Sequence, residues 1–271
     1  MPKRATVAGP AFPSKYGNAE GYDSYMGRWS AALAPVFLDF ASLSRPMSLL
    51  DVGSGTGNLL AAATAALPGT RLVGVDPSQA LLRKARARPE LAEATFIEGR
   101  AEALPFAVGV FDGCFSLLVL QEFPDRLAAL REMRRVTRPG GIIAACVWDF
   151  SRMPIIASLV EAIGAVDPDA GAGLSTNSPL QMAGEARLAQ DWIDAGLGDV
   201  LAGRIVIGSV FLDFNELWHP LLSGSTPSTL TLAALPEPDR ARVKSAMRKR
   251  FAAKPGGFSV VAEALVVRGR V

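Results

Sequence analysis

Leu49-Leu50-Asp51-Val52 runs into Gly53-Ser54-Gly55-Thr56-Gly57-Asn58, a short apolar strand followed by three alternate glycines and a helix start. Glycines there let the chain turn sharply and let a ligand approach the helix start with no Cβ in the way. A dinucleotide fingerprint needs G-x-G-x-x-G, but its last position is Asn58 counted from Gly53 and Leu60 counted from Gly55. No Gly-Lys-Ser/Thr closes the turn, so a P-loop is excluded as well. Nineteen residues beyond Gly57, at the end of Val73-Gly74-Val75, stands Asp76, where a carboxylate accepts both hydroxyls of a ribose. Ser78 is the better cap for the next helix, which leaves Asp76 for a ligand. Together these residues imply a nucleoside ligand that lacks a pyrophosphate.

The elements that must position this loop follow from apolar periodicity and from Gly and Pro stops. Strands are expected at 48–52, 71–75, 94–98, 111–119 and 141–148, with helices at 56–67, 78–88 and 124–137 between them. Such alternation predicts a parallel sheet covered on both faces. Before the first strand, Tyr22, Tyr25, Met26 and Trp29, then Leu33, Val36, Phe37 and Phe40, recur at helical spacing, which reads as one helix or, if Pro35 interrupts near Ala34, two. Beyond Phe150 the rhythm loosens into a Gly, Pro and Ser-rich insertion, 151–184, with one helix near 155–163. Helices at 185–195, 213–222 and 237–253 and strands at 199–207 and 258–268 complete the pattern. With no repeat and no clean linker, 1–271 reads as one domain: an arm and lid (1–45), a ligand-binding core (46–150), substrate-side insertions (151–184, 208–254) and two sheet-completing segments (185–207, 255–271).

Composition bounds the function. The 28 basic and 26 acidic side chains leave a net charge of +2, too small to mark a nucleic-acid or membrane-surface protein. The two cysteines, Cys114 and Cys146, lie in apolar runs and read as reduced, buried thiols. One histidine and no Cys-x-x-Cys leave a nitrogen or sulfur metal site too few ligands, so no metal is expected. No apolar stretch is long enough to span a membrane and no signal peptide is visible, so a cytoplasmic location without membrane insertion is expected.

Five ordered blocks, LLDVGSGTGNL, VGVDPSQALLRKAR, Glu98 to Phe106, Phe111-Asp112 and ALREMRRVTRPGG, resemble the class I S-adenosylmethionine-dependent methyltransferases over about 47–150. The likeness is to the small-molecule branch that includes the ubiquinone and menaquinone biosynthesis enzymes. It implies a seven-stranded, mostly parallel, doubly wound α/β sheet of order 3-2-1-4-5-7-6 with helical lid insertions and an antiparallel last strand. It further implies that S-adenosyl-L-methionine is the cofactor and that a small organic acceptor is the partner. Asp51 and Gly53 would meet its methionine part and Asp76 its ribose, with Ser54 and Gly55 also among the cofactor-binding residues. Pro77 and Leu104 would flank the adenine, the Ala101 N–H would meet the ring, and Leu117 would touch the methionine moiety. Two departures stand out. The family's Gly-Asp-Ala is Gly99-Arg100-Ala101 here, and arginine accepts no hydrogen bond, so Glu102 becomes the candidate for the adenine amino group. Where relatives carry a His pair, this chain has Gln121-Glu122-Phe123-Pro124-Asp125.

A sulfonium methyl is already electrophilic, so the chain's main task is to hold a nucleophile in line at about 3 to 3.5 Å. Should a hydroxyl be methylated, Glu122, Asp149 and His219 are the candidate bases, with His219 more simply a surface or core residue. Arg28, among Tyr16, Tyr22, Tyr25 and Trp29, is a candidate for the cofactor carboxylate, with the aromatics closing over the sulfonium or simply packing on the sheet. Met153, Ile155, Ile156, Phe211, Phe214, Trp218, Leu221 and Leu222 suggest either an apolar acceptor pocket or a second small core. The rival readings are an RNA or other macromolecule methyltransferase, prompted by clustered arginines, and a non-catalytic cofactor-binding module. A nicotinamide dehydrogenase ranks third because the glycine spacing fails.

Overall fold

The computed structural model describes residues 23–42, 47–149, 152–176, 184–224, 226–252 and 256–271. The expectations for the arm before Asp23, including Tyr16 and Tyr22, lie outside the described residues. The strands are β1 (Ser48–Val52), β2 (Arg71–Asp76), β3 (Thr95–Glu98), β4 (Phe111–Leu117), β5 (Thr137–Trp148), β6 (Gly198–Phe211) and β7 (Phe258–Arg270). The helices are α1 (Arg28–Ala41), α2 (Asn58–Ala66), α3 (Gln79–Arg86), α4 (Arg126–Val136), α5 (Pro154–Val166), α6 (Pro168–Thr176), α7 (Gly184–Asp194), α8 (Phe214–Leu221), α9 (Pro227–Ala234) and α10 (Glu237–Phe251).

One sheet of order β3-β2-β1-β4-β5-β7-β6 carries the fold, as the resemblance implied. β1 pairs in parallel with both β2 and β4, so the chain reverses its winding there, and ligands of such sheets bind beyond the carboxyl ends at that reversal. β7 runs antiparallel to β5 and β6. The β6–β7 pairing continues from Val206↔Glu263 to Phe211↔Phe258, past the end of β5 at Trp148↔Ala264. This two-stranded extension rises above the carboxyl edge and gives the later helices a wall to pack on.

Two apolar clusters sandwich the sheet. One joins α1, α2, α5 and α8 to the face holding Phe115, Cys146, Trp148, Ile205 and Val266. The other packs α4 and α7 on Leu50, Val73, Cys114, Ile143 and Leu265. Strands β1 and β2 are buried on both sides, which explains why their sequences are apolar runs without alternation. Cys114 and Cys146 are free, fully buried thiols, and burial pushes both thiols well above their ordinary pKa. No helix among the described residues is long and apolar enough to cross a membrane.

One open choice is settled and one expectation is corrected. Pro35 does not interrupt a helix: α1 runs unbroken from Arg28 to Ala41, because Trp29, Leu33, Ala34, Phe37, Leu38 and Ala41 are buried on one side and their packing outweighs the local penalty. The insertion 151–184 holds two helices, α5 and α6, whose close approach brings Gly171 against the Gly164 backbone.

Candidate cofactor and acceptor site

The glycine loop is stitched to the end of β2. The N–H groups of Gly53 and Ser54 both donate to the Val75 carbonyl, at 2.7 and 3.0 Å. Gly53 has φ +77°, and a Cβ there would lie 2.3 Å from Val119 Cγ1, so the segment after β4 seals directly on the bare backbone. At Gly55, φ +53°, a Cβ would meet nothing within 4 Å, so this side of the loop faces open space. Across that opening lies Asp76, whose Oδ2 accepts from the Gly55 N–H at 2.9 Å and whose Oδ1 accepts from the Ser78 N–H at 2.8 Å. Ser78 also caps α3 through its own hydroxyl, accepting from the Leu81 N–H. Both Asp76 oxygens keep an unused lone pair. Burial raises the Asp76 pKa, while the Ser78 and Gly55 N–H groups oppose that shift.

Beneath the loop, Asp51 is 1% exposed, and burial, then the neighbouring Asp76 charge, push its carboxyl well above the usual range. Its Oδ1 and the Ser54 Oγ are buried polar atoms without hydrogen-bond partners among the described residues. Buried acceptors left open beside a side-chain-free turn and a backbone-oriented carboxylate fit a ligand that brings a ribose diol and a cationic amine. The residues present therefore fit S-adenosylmethionine.

The segment expected to flank adenine is held from behind. Arg135 on α4 donates to the Phe106 carbonyl at 2.7 Å and the Leu104 carbonyl at 2.9 Å, and Glu132 accepts from the Leu104 N–H at 2.9 Å. Ala101 and Leu104 are buried there, and Pro77 is exposed. Arg100 points to Glu102, Nε to Oε2 at 3.4 Å, and the second Glu102 oxygen is buried and has no hydrogen-bond partner among the described residues. Leu117 ends β4 half-buried, and Leu118 after it takes a left-handed conformation, φ 62°, with its N–H on the Cys146 carbonyl. A non-glycine residue at such φ is held there by its surroundings, and here it bends the chain so that Val119 reaches Gly53.

Three polar candidates are placed on other work. Arg28 does not reach toward the glycine loop: its guanidinium donates to the Val210 carbonyl at 2.9 Å, is ion-paired with Glu216 and sits 4.8 Å over the Phe211 ring. Glu216 in turn accepts from the Leu212 N–H at 2.6 Å, so the pair closes the end of the free β6 edge as a neighbouring strand would. Asp149 is ion-paired with Arg204 at 2.5 Å within a cluster that includes Glu185 and Glu263, a poor setting for a proton acceptor. His219 is exposed in the last turn of α8. Glu122, another expected base, is half-buried in the turn after β4 at the carboxyl edge.

On the α1 side of the edge, aromatic residues gather. Trp29 meets Trp148 edge to face and also faces Phe211, each with ring centres 6.3 Å apart, while Phe214 stacks on Trp218. Met153, Ile155, Phe211, Phe214, Trp218 and Leu221 are buried in this layer, and Leu222 is exposed. The layer leaves a void of about 40 Å³ lined by Tyr25, Arg28, Trp29, Ile155 and Phe211, among others. Most of these residues form a packed layer, and that layer keeps a small opening. Burial raises the Tyr25 phenol pKa, so Tyr25 stays protonated.

Val119, Glu132, Arg135 and Glu216 were not among the sequence candidates. A trace of Glu132 and Arg135 was present as an acid and a base three apart on an otherwise polar helix face. The other two act across long sequence separations and left no local pattern.

A methyltransferase domain model matches residues 50–145. An uncharacterised protein of Mycobacterium bovis is 35% identical over 120 residues, 44% of this chain and 43% of that protein, so the match spans under half the length of that relative. The phosphoethanolamine N-methyltransferase 2 of Haemonchus contortus, solved with S-adenosyl-L-methionine, has a TM-score of 0.56 at 16% identity, over 95% of this chain and 58% of that one. The YcgJ protein of Bacillus subtilis has a TM-score of 0.53 at 16% identity, over 89% and 97%. Both structures share the fold. A demethylmenaquinone methyltransferase of Roseiflexus is 31% identical over 207 residues, 70% of this chain and 86% of its own length. With that coverage added to the glycine loop, Asp76 and the strand order, the chain belongs to the class I S-adenosylmethionine-dependent methyltransferases.

Proposed function

We propose that this protein transfers a methyl group from S-adenosylmethionine to a small, largely apolar organic acceptor, releasing S-adenosylhomocysteine. The observation that carries the reading is the Asp76 carboxylate, oriented by the Gly55 and Ser78 N–H groups beside the open face of the glycine loop. When bound, the cofactor supplies a sulfonium-activated methyl. The chain's own residues do the rest. Asp76 holds the diol, Asp51 and Ser54 present their unpartnered oxygens to the amino-acid end, and Arg135 keeps the 104–106 segment against the base. Trp29, Trp148 and Phe211 exclude water from the reacting edge, and Glu122 stands where an acceptor proton can leave.

Two facts support a small acceptor over a macromolecule. The wall above the carboxyl edge is aromatic and aliphatic, and the relative matched over most of its length is named a demethylmenaquinone methyltransferase. Incubation with isotopically labelled S-adenosylmethionine and a panel of small aryl and alkyl hydroxyl, thiol and amine acceptors tests the reading. Label in a small product, with stoichiometric S-adenosylhomocysteine, is expected. Label only in added RNA would give the site to a macromolecule, and binding without turnover on any acceptor would leave a cofactor-binding module.

A further inference from the structure

Trp148 ends β5 next to the end of β4, and its side chain is 2% exposed. Leu117 pairs with Cys146, so Trp148 stands one pleat further out on the same face, at the edge where the glycine loop opens. Its Nε1–H is buried without a hydrogen-bond partner among the described residues. Trp192 is equally buried, and its Nε1–H donates to the Ile143 carbonyl at 3.1 Å. That contrast matters because a buried indole N–H ordinarily finds an acceptor, and one left open in low dielectric is destabilising. Trp29, which meets the Trp148 ring edge to face, lines the small void together with Tyr25, Ile155 and Phe211.

We propose that the Trp148 Nε1–H is the specificity-determining donor of the acceptor site, hydrogen-bonding an oxygen or unprotonated ring nitrogen on a flat, apolar methyl acceptor that lies against Trp29 and Phe211. The inference rests on the methyl-transfer reading and adds to it the acceptor's chemistry: a planar apolar body that carries a hydrogen-bond acceptor atom apart from the group methylated. An all-hydrocarbon body leaves the indole N–H unpaired and binds more weakly.

The test uses 6-hydroxy-1-tetralone and 5,6,7,8-tetrahydro-2-naphthol, a pair that differs by one carbonyl, titrated into the full chain saturated with S-adenosylhomocysteine. Binding of S-adenosylhomocysteine is measured first, and its failure would overturn the methyl-transfer reading itself. Given that binding, the wild type is expected to prefer the tetralone by roughly tenfold, the scale of one buried hydrogen bond. Trp148→Phe keeps an aromatic ring and removes the N–H, and is expected to bind both probes alike, each titration being made at saturation with S-adenosylhomocysteine as measured for the variant itself. Equal affinities in the wild type would overturn the inference, as would binding of neither probe or a preference that survives in Trp148→Phe. The wild-type comparison stands even if the variant fails to fold, and it separates an N–H waiting for a ligand from one resting on the Trp29 ring face.

Discussion

Gly53→Ala should damage this protein in two separable ways. At φ +77° an alanine pays the left-handed penalty, about 1 to 2 kcal/mol, whatever surrounds it. The new methyl would also lie 2.3 Å from Val119 Cγ1 and 3.2 Å from Val119 Cβ, and a β-branched side chain cannot swing clear. Overpacking of that kind costs about 1 to 3 kcal/mol. The total of about 2 to 5 kcal/mol corresponds to a melting temperature lowered by roughly 4 to 9 °C in a chain of this size. Val119→Ala in the same chain should relieve the overpacking and leave the backbone strain. Thermal or urea unfolding of the wild type, both single variants and the double variant therefore gives a cycle with a favourable coupling of about 1 to 3 kcal/mol. An unperturbed Gly53→Ala melt would refute the left-handed turn. A coupling near zero would refute the contact with Val119.

Asp51 gives a pH prediction. Burial, then the Asp76 charge, raise its pKa, and an approaching ammonium favours the ionised form; S-adenosylhomocysteine affinity should therefore rise with pH above the ordinary carboxylate range and flatten once Asp51 is ionised. The linked stability runs the other way: a carboxyl raised in the folded state destabilises the free protein as pH climbs from the unfolded pKa through the folded one. Titration calorimetry in buffers of different ionisation heat reads the proton release, and none at any pH would contradict the assignment. Arg135→Ala should weaken S-adenosylhomocysteine binding severalfold without touching the ligand, because the Leu104 and Phe106 carbonyls lose their donor. Unchanged affinity would mean that the 104–106 segment holds its shape unaided. Arg28→Met should leave S-adenosylhomocysteine affinity within about threefold, since the guanidinium is committed to Val210 and Glu216. A loss beyond about tenfold would return Arg28 to the cofactor carboxylate.

The parallel core was legible because its strands are buried on both faces and read as apolar runs, punctuated by Pro68-Gly69, Pro89 and Pro139-Gly140. Ser78 was recognisable as a cap from its residue type just before the helix, and Asp76 was singled out by its distance from the glycine turn. Strand order came from the resemblance, since parallel pairing leaves no local trace. The uninterrupted helix through Pro35 was hidden because burial of Leu33, Ala34, Phe37 and Leu38 against the sheet is a tertiary effect. The same holds for the side chains that missed their expected roles. Arg28 and Asp149 are a cation and an anion near the right edge, but their partners, Glu216 and Arg204, lie far along the chain and could not be read from spacing.

Cofactor binding turns on a carboxylate that grips a sugar diol beside the bare turn. Isothermal titration of S-adenosylhomocysteine into the wild type and Asp76→Ala measures that grip directly. The wild type should bind, and the variant should bind more weakly by about 1 to 3 kcal/mol, roughly 5- to 150-fold, while melting as a folded protein. Equal affinity in the two proteins would contradict the account, as would a folded wild type that takes up no ligand.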